Sequence, residues 1–102
     1  MTARDLAERV CGARGVSFTV IRSKRRNRAV AWVRHEIWFI LRERFEMSLP
    51  DIGRVTGGHD HTSVLHGWRR VELVCLERPW YRDELLAFAN VISFAQACKE
   101  AA

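Results

Sequence analysis

Apolar residues recur at helical spacing along nearly all of this chain. Leu6, Val10 and Ala13 form a first stripe. Thr2 followed by Asp5 has the form of a capping box, so a helix is predicted from Thr2 to about Ala13, with Gly12 and Gly15 helping to end it. Ser17 opens a single short turn through Ile21. A long helix is predicted from about Asn27 to Met47, where Val30, Val33, Ile37, Ile40 and Leu41 form a buried stripe. Ser48 is the next N-cap. Pro50 is tolerated in the first turn, and Asp51 completes a Ser-x-x-Asp box. This helix is short and ends near Val55. Thr56-Gly57-Gly58-His59 forms a turn in which glycine permits a positive φ. Asp60 then caps a helix whose Val64, Trp68, Val71 and Cys75 mark the core face, with Arg69 and Arg70 pointing elsewhere. Pro79 separates a last helix, roughly Trp80 to Lys99, rich in apolar side chains. No stretch alternates over a strand's length between hairpin signals. The expected class is all-α, a helix-turn-helix bundle of about five to six helices.

Length and composition narrow the class further. The 102 residues suffice for one domain with a modest core, and 48% of them are apolar. No apolar run is long enough to span a membrane, and the charged start, Met1-Thr-Ala-Arg-Asp, is unlike a signal peptide. The expected location is therefore cytoplasmic. Cys11, Cys75 and Cys98 are widely spaced and odd in number, which argues against a disulfide framework or zinc ribbon and makes them small core hydrophobes.

Charge changes the picture more. The net charge is +5, yet Arg22, Lys24, Arg25, Arg26, Arg28 and Arg34 lie within residues 21–35 with no acid among them. Such a run is the footprint of a polyanion partner, or else a solvated loop or targeting signal. Arg28, His35 and Arg42 recur every seven residues and so share a helix face, which lies along a phosphate backbone or simply in water.

Helix, short glycine turn and helix is the helix-turn-helix signature. In that motif the N-terminal residues of the second helix meet base edges in the major groove. Asp60, His61, Thr62 and Ser63 suit that task, being short and rich in donors and acceptors. Asp60 can accept from a cytosine amino group, and a threonine methyl can touch a thymine methyl. The alternative is that Asp60 is only an N-cap and its neighbours decorate a surface.

Three blocks together resemble the C-terminal DNA-binding domain of the bacterial replication initiator DnaA. They are Ser23-Lys24-Arg25-Arg26, then Ser48-Leu-Pro-Asp-Ile-Gly53, then Gly57-Gly-His-Asp-His-Thr-Ser-Val-Leu-His66, at the family's spacing. The resemblance implies that Arg26 enters the minor groove. It implies that Asp60, His61 and Thr62 read bases in the major groove, with Ser63 in place of a base-facing threonine. It sets Arg28, Arg34 and Arg42 near phosphates, together with Lys24 and Arg25 of the basic loop. Leu49 and Pro50 match the helix start that abuts the backbone. The implied target is a DnaA box resembling TTATCCACA, and the implied outcome is control of replication initiation or of transcription.

Several positions depart from the family pattern. His59 stands where the motif has arginine. Trp32-Val33 replaces a commonly basic, proline-containing pair, and Gly67-Trp68 replaces two small residues. Residues 76–102 do not match. The expected organisation is thus one DNA-binding domain over residues 1–102, with a DnaA-like core at 4–75 and a divergent C-terminal helix at 79–100. No G-x-x-x-x-G-K-[ST] loop occurs, so no nucleotide should bind. A stand-alone DNA reader is expected, the other reading being the isolated reading domain of a full initiator.

Two rival functions are weaker. His59, His61 and His66 with Asp60 could suggest a metal-hydrolase cluster. On a helix, however, His61 and His66 do not share a face, and no four-ligand set is completed. No catalytic residue, cofactor or metal is therefore expected. The apolar last helix with Trp80-Tyr81 could serve a protein partner or a homodimer. The expected main partner is double-stranded DNA, with no membrane involved.

Overall fold

The computed structural model describes residues 1–25 and 27–89. Its order is α1 (Ala3–Arg14), α2 (Phe18–Arg22), α3 (Arg28–Arg44), α4 (Leu49–Val55), α5 (His61–Glu77) and α6, helical over residues 79–89. The described residues contain no strand, as the patterning requires. The rest of the expected last helix, and Cys98 with it, lies outside the described residues.

Each helix start follows from its capping side chain. Thr2 Oγ1 accepts from the Asp5 N–H at 3.1 Å while Asp5 accepts from the Thr2 N–H at 3.0 Å, a complete capping box. Ser17, Asn27, Ser48 and Asp60 cap the next four helices through side-chain oxygens. The box expected at Ser48 is only half formed. Ser48 accepts from the Asp51 N–H at 3.3 Å, but the Asp51 carboxylate pairs with Arg54 instead. The α3 helix stops at Arg44, short of the expected Met47. Glu46 takes a left-handed φ of 52°, and the Met47 N–H returns to the Leu41 carbonyl at 3.4 Å.

Helix α3 is the axis of the fold, with α1, α2, α4 and α5 packed against it. Ile37, Phe39, Ile40 and Leu41 are buried and meet Leu6, Val10, Ile21, Ile52, Val64 and Val71 from the surrounding helices. Each such side chain contributes about 1.5–3 kcal/mol by leaving water. Cys11 and Cys75 are buried and unpaired, as small core hydrophobes should be, and burial pushes the Cys11 thiol up to about 11. At Gly67 α5 lies close against α3. A Cβ there would stand 2.5 Å from both the His35 and Trp38 rings. Any larger residue would prise the two helices apart.

A polar network fastens α6 to this core. Glu36 is 2% exposed and accepts two hydrogen bonds from the Arg14 guanidinium, at 3.1 and 3.0 Å. The Tyr81 hydroxyl donates to Glu36 and accepts from Trp32 Nε1 at 3.0 Å. Burial first, and then the neighbouring carboxylate, raise the Tyr81 phenol above its ordinary value. Leu85 and Leu86 close the same side.

Candidate nucleic-acid interface

Helices α4 and α5, joined by the turn at 56–60, form the helix-turn-helix. Two glycines permit its tightness. At Gly53 a Cβ would lie 2.1 Å from the His59 carbonyl oxygen. At Gly57, φ is 114°, and a Cβ would fall 2.2 Å from the Arg22 carbonyl oxygen. The turn therefore sits directly against the end of α2, at the root of the basic loop.

The tip of α5 carries the expected polar group. Asp60, His61, Thr62 and Ser63 are all exposed. Asp60 Oδ2 accepts from the Thr62 N–H at 3.0 Å, and that bond holds its carboxyl below the ordinary carboxylate range. Its second oxygen lies 3.5 Å from His61 Nδ1 and stays at the surface. Asp60 is thus a cap whose second oxygen stays at the surface beside His61, so the cap and the base-edge readings are compatible.

The basic loop is fastened beside this tip. Lys24 Nζ donates to the Gly58 carbonyl at 2.8 Å. His59 Nε2 lies 3.3 Å from the Ile21 carbonyl, and its ring packs edge-on to Trp38 at a centroid distance of 5.4 Å. Trp38 is itself tied through Nε1 to Thr56 Oγ1 at 2.9 Å. Between loop and tip lies a cleft of about 510 Å³ whose lining includes Lys24, Arg25, His35, His59, Asp60, Ser63 and Arg70.

Arg34 departs from its expected place. It is 6% exposed rather than set out toward a phosphate. Its guanidinium donates to the carbonyls of Ile21 at 2.9 Å, Ser23 at 3.0 Å, and Val20 and Arg25 at 3.4 Å. Those carbonyls close α2 and begin the loop. A planar fork of donors beneath them adds to the Ser23 and His59 contacts of Val20 and Ile21 and supplies the Ser23 and Arg25 carbonyls. The charge of Arg34 underlies the cleft, but its donors are spent on the chain.

The face expected for Arg28, His35 and Arg42 is also divided. Arg28 and Arg42 are exposed, whereas His35 is half-buried between Trp32 and Trp38, at ring distances of 6.1 and 5.4 Å. Burial, then Arg70 and Arg34, lower the His35 imidazole to about 4, so it is neutral. Its Nδ1 is buried without a hydrogen-bond partner. At the far end of α3, Arg42 donates to the Met47 carbonyl at 3.0 Å, just before α4 begins at Leu49 and Pro50. Leu49 packs partly onto the core and Pro50 is exposed. Arg26 lies outside the described residues.

One cleft residue escaped the sequence reading. Arg70 is exposed and stands seven residues after Ser63, two helical turns along the same face. That spacing was the available signal.

The family described as bacterial DnaA protein helix-turn-helix matches residues 3–71, from the first residue of α1 into α5. This chain belongs to that family. Among its DnaA relatives is the chromosomal replication initiator protein DnaA of Caulobacter sp. strain K31. It is 36% identical over 85 residues, covering 83% of this chain and 18% of the relative. The DnaA of Caulobacter vibrioides strain NA1000 is 40% identical over 77 residues, 76% of this chain and 16% of its own length. The DnaA of Nitrosospira multiformis reaches 51% over 49 residues, 48% of this chain and 10% of the relative. The chain thus spans less than a fifth of the length of these DnaA proteins. Membership in the DnaA helix-turn-helix family supports DNA binding by this domain.

The helix-turn-helix family match ends at residue 71, within α5, so Tyr81 lies beyond it while its partner Glu36 lies within. Among the described residues no group of three or more His, Cys, Asp or Glu is placed to hold a metal ion. None of the described helices is long and apolar enough to cross a membrane.

Proposed function

We propose that this domain binds double-stranded DNA sequence-specifically, at DnaA-box-like sites, and so regulates replication initiation or transcription. Asp60, His61, Thr62 and Ser63 read base edges in the major groove, while the basic loop enters the adjacent minor groove through Arg26. Lys24, Arg25 and Arg28 meet phosphates on the loop side; Arg42 and the start of α4 at Leu49 and Pro50 meet the backbone on the other. The domain acts by binding alone, with neither nucleotide nor metal. Residues 1–102 work as one unit, with the DnaA-like core at 4–75.

One observation carries this reading. The exposed polar tip of α5 and the basic loop flank a cationic cleft, tied together by Lys24 and His59 above the buried Arg34. A duplex presents its two grooves at a fixed separation, so a two-groove reader needs its two probes at a fixed separation as well. Selection of bound duplexes from a random pool tests it. A DnaA-box-like consensus is expected. Enrichment of an unrelated consensus would reject the box assignment, and no enrichment would reduce the role to non-specific binding.

A second reading has its own observation. Leu73, Leu76 and Trp80 are 62%, 73% and 61% exposed and fall within eight residues, at the end of α5 and start of α6. Clustered apolar exposure of this kind suits a protein partner or a second copy. Sedimentation across a concentration series distinguishes them from a monomer, the state an asymmetric box requires.

A further inference from the structure

The residue before the reading tip has a different chemistry here from the arginine of the family motif. His59 does not reach into solvent. Its ring is half-buried against Trp38, and its Nε2 points at the carbonyl of Ile21, the last buried residue of α2. A neutral imidazole carrying its proton on Nε2 donates to that carbonyl. Burial and the nearby Arg34 charge favour the neutral form.

We propose that His59 is a positioning residue that sets the basic loop at a fixed distance from the tip of α5. This rests on the two-groove reading above. The backbone of His59 runs directly into Asp60, the N-cap of α5, while its side chain is fastened to the root of the loop. Alongside the Lys24–Gly58 contact, His59 thus ties the start of α5 to the root of the basic loop. Trp38 gives the ring a firm seat because its own N–H is held by Thr56, which in turn donates to the Ile52 carbonyl at 2.8 Å. Arg34 reaches the same Ile21 carbonyl from the opposite helix. At position 59 the chain has an internal tie in place of the motif's full cation.

The test compares the parent with His59→Ala and His59→Gln, the glutamine amide being a neutral donor of similar reach. The first readout needs no DNA. Trypsin cleavage after Lys24 and Arg25 in the free protein should rise about fivefold in His59→Ala, the population change expected for one lost hydrogen bond, and return toward the parent in His59→Gln. The second readout is the base-preference profile from a random duplex pool. His59→Ala should lose preference at the minor-groove end of the site and keep it under α5, and His59→Gln should restore the full profile. Unchanged cleavage in His59→Ala would overturn the inference. So would a uniform loss of preference along the site, or cleavage that rises equally at arginines remote from the loop, which indicates general unfolding. A parent that selects no sequence would instead reject the DNA-reading proposal, while the cleavage result still decides whether His59 holds the loop.

Discussion

Arg34 Nε donates to the carbonyl of Ile21 at 2.9 Å from a side chain that is almost wholly buried. The rest of that guanidinium closes three more carbonyls, so the basic loop is built on an arginine that does not itself face outward. Replacing it with alanine should take the donor from the Ser23 and Arg25 carbonyls and weaken the hold on Ile21, at a cost of about 2–4 kcal/mol in chemical denaturation. Arg34→Lys should recover less than half of that loss, because an ammonium keeps the charge but not the planar fork. Full recovery by lysine would show that charge alone matters at this position.

The tip makes separable predictions for Asp60. Asp60→Ala removes both the cap and a candidate base contact, so stability should fall by about 1 kcal/mol and discrimination between sites by about 1–3 kcal/mol. Asp60→Asn retains a capping oxygen and should keep the melting temperature while still altering base preference. Thermal melts alongside competition binding check this. An Asn variant with the parent's base preference would reduce Asp60 to a cap.

Salt dependence should count the backbone contacts. With about five phosphates engaged, the slope of log K against log salt should be about −4 to −5. Arg70→Ala should make the slope less negative by about 1, because Arg70 lines the cleft two turns below Ser63. A slope unchanged in that variant would take Arg70 off the backbone.

Acid should loosen the fold through His35. Its imidazole is lowered from 6.5 to about 4, so the unfolded chain takes up a proton below pH 6.5 that the folded chain refuses until about pH 4. Stability should therefore fall as pH drops through that window and level off beneath it, by about 2 kcal/mol after allowance for partial solvent screening. The lowered His59 acts in the same direction. Urea unfolding at pH 7.5 and 4.5 measures the drop. His35→Phe should shrink it, since phenylalanine fills the slot between Trp32 and Trp38 without a titrating nitrogen. A drop of the same size in His35→Phe would assign it to other groups.

The helices were legible because their signals are local. Capping residues at Thr2, Ser17, Asn27, Ser48 and Asp60 sit where they must to satisfy orphaned N–H groups, and each caps in the folded chain. The exposed tip was legible for the same reason: polar residues directly after a glycine turn stand at a helix start. Arg34, His35 and His59 were not legible as inward-facing residues. By composition they are cations or titrating groups that belong in water, and only the packing of α2 and the helix-turn-helix turn against α3 brings carbonyls and ring faces together to receive them. Glu36 is the same case, since its partners Arg14 and Tyr81 come from opposite ends of the chain.

Sequence alone determined the boundaries of the first five helices to within a few residues, the all-α class, the helix-turn-helix and the polar character of its tip, because spacing and capping act over three or four residues. Only the tertiary structure decided which cations face outward and which are spent inside. That choice depends on carbonyls exposed by helix ends far away in sequence, and a buried guanidinium is tolerated only where such acceptors converge.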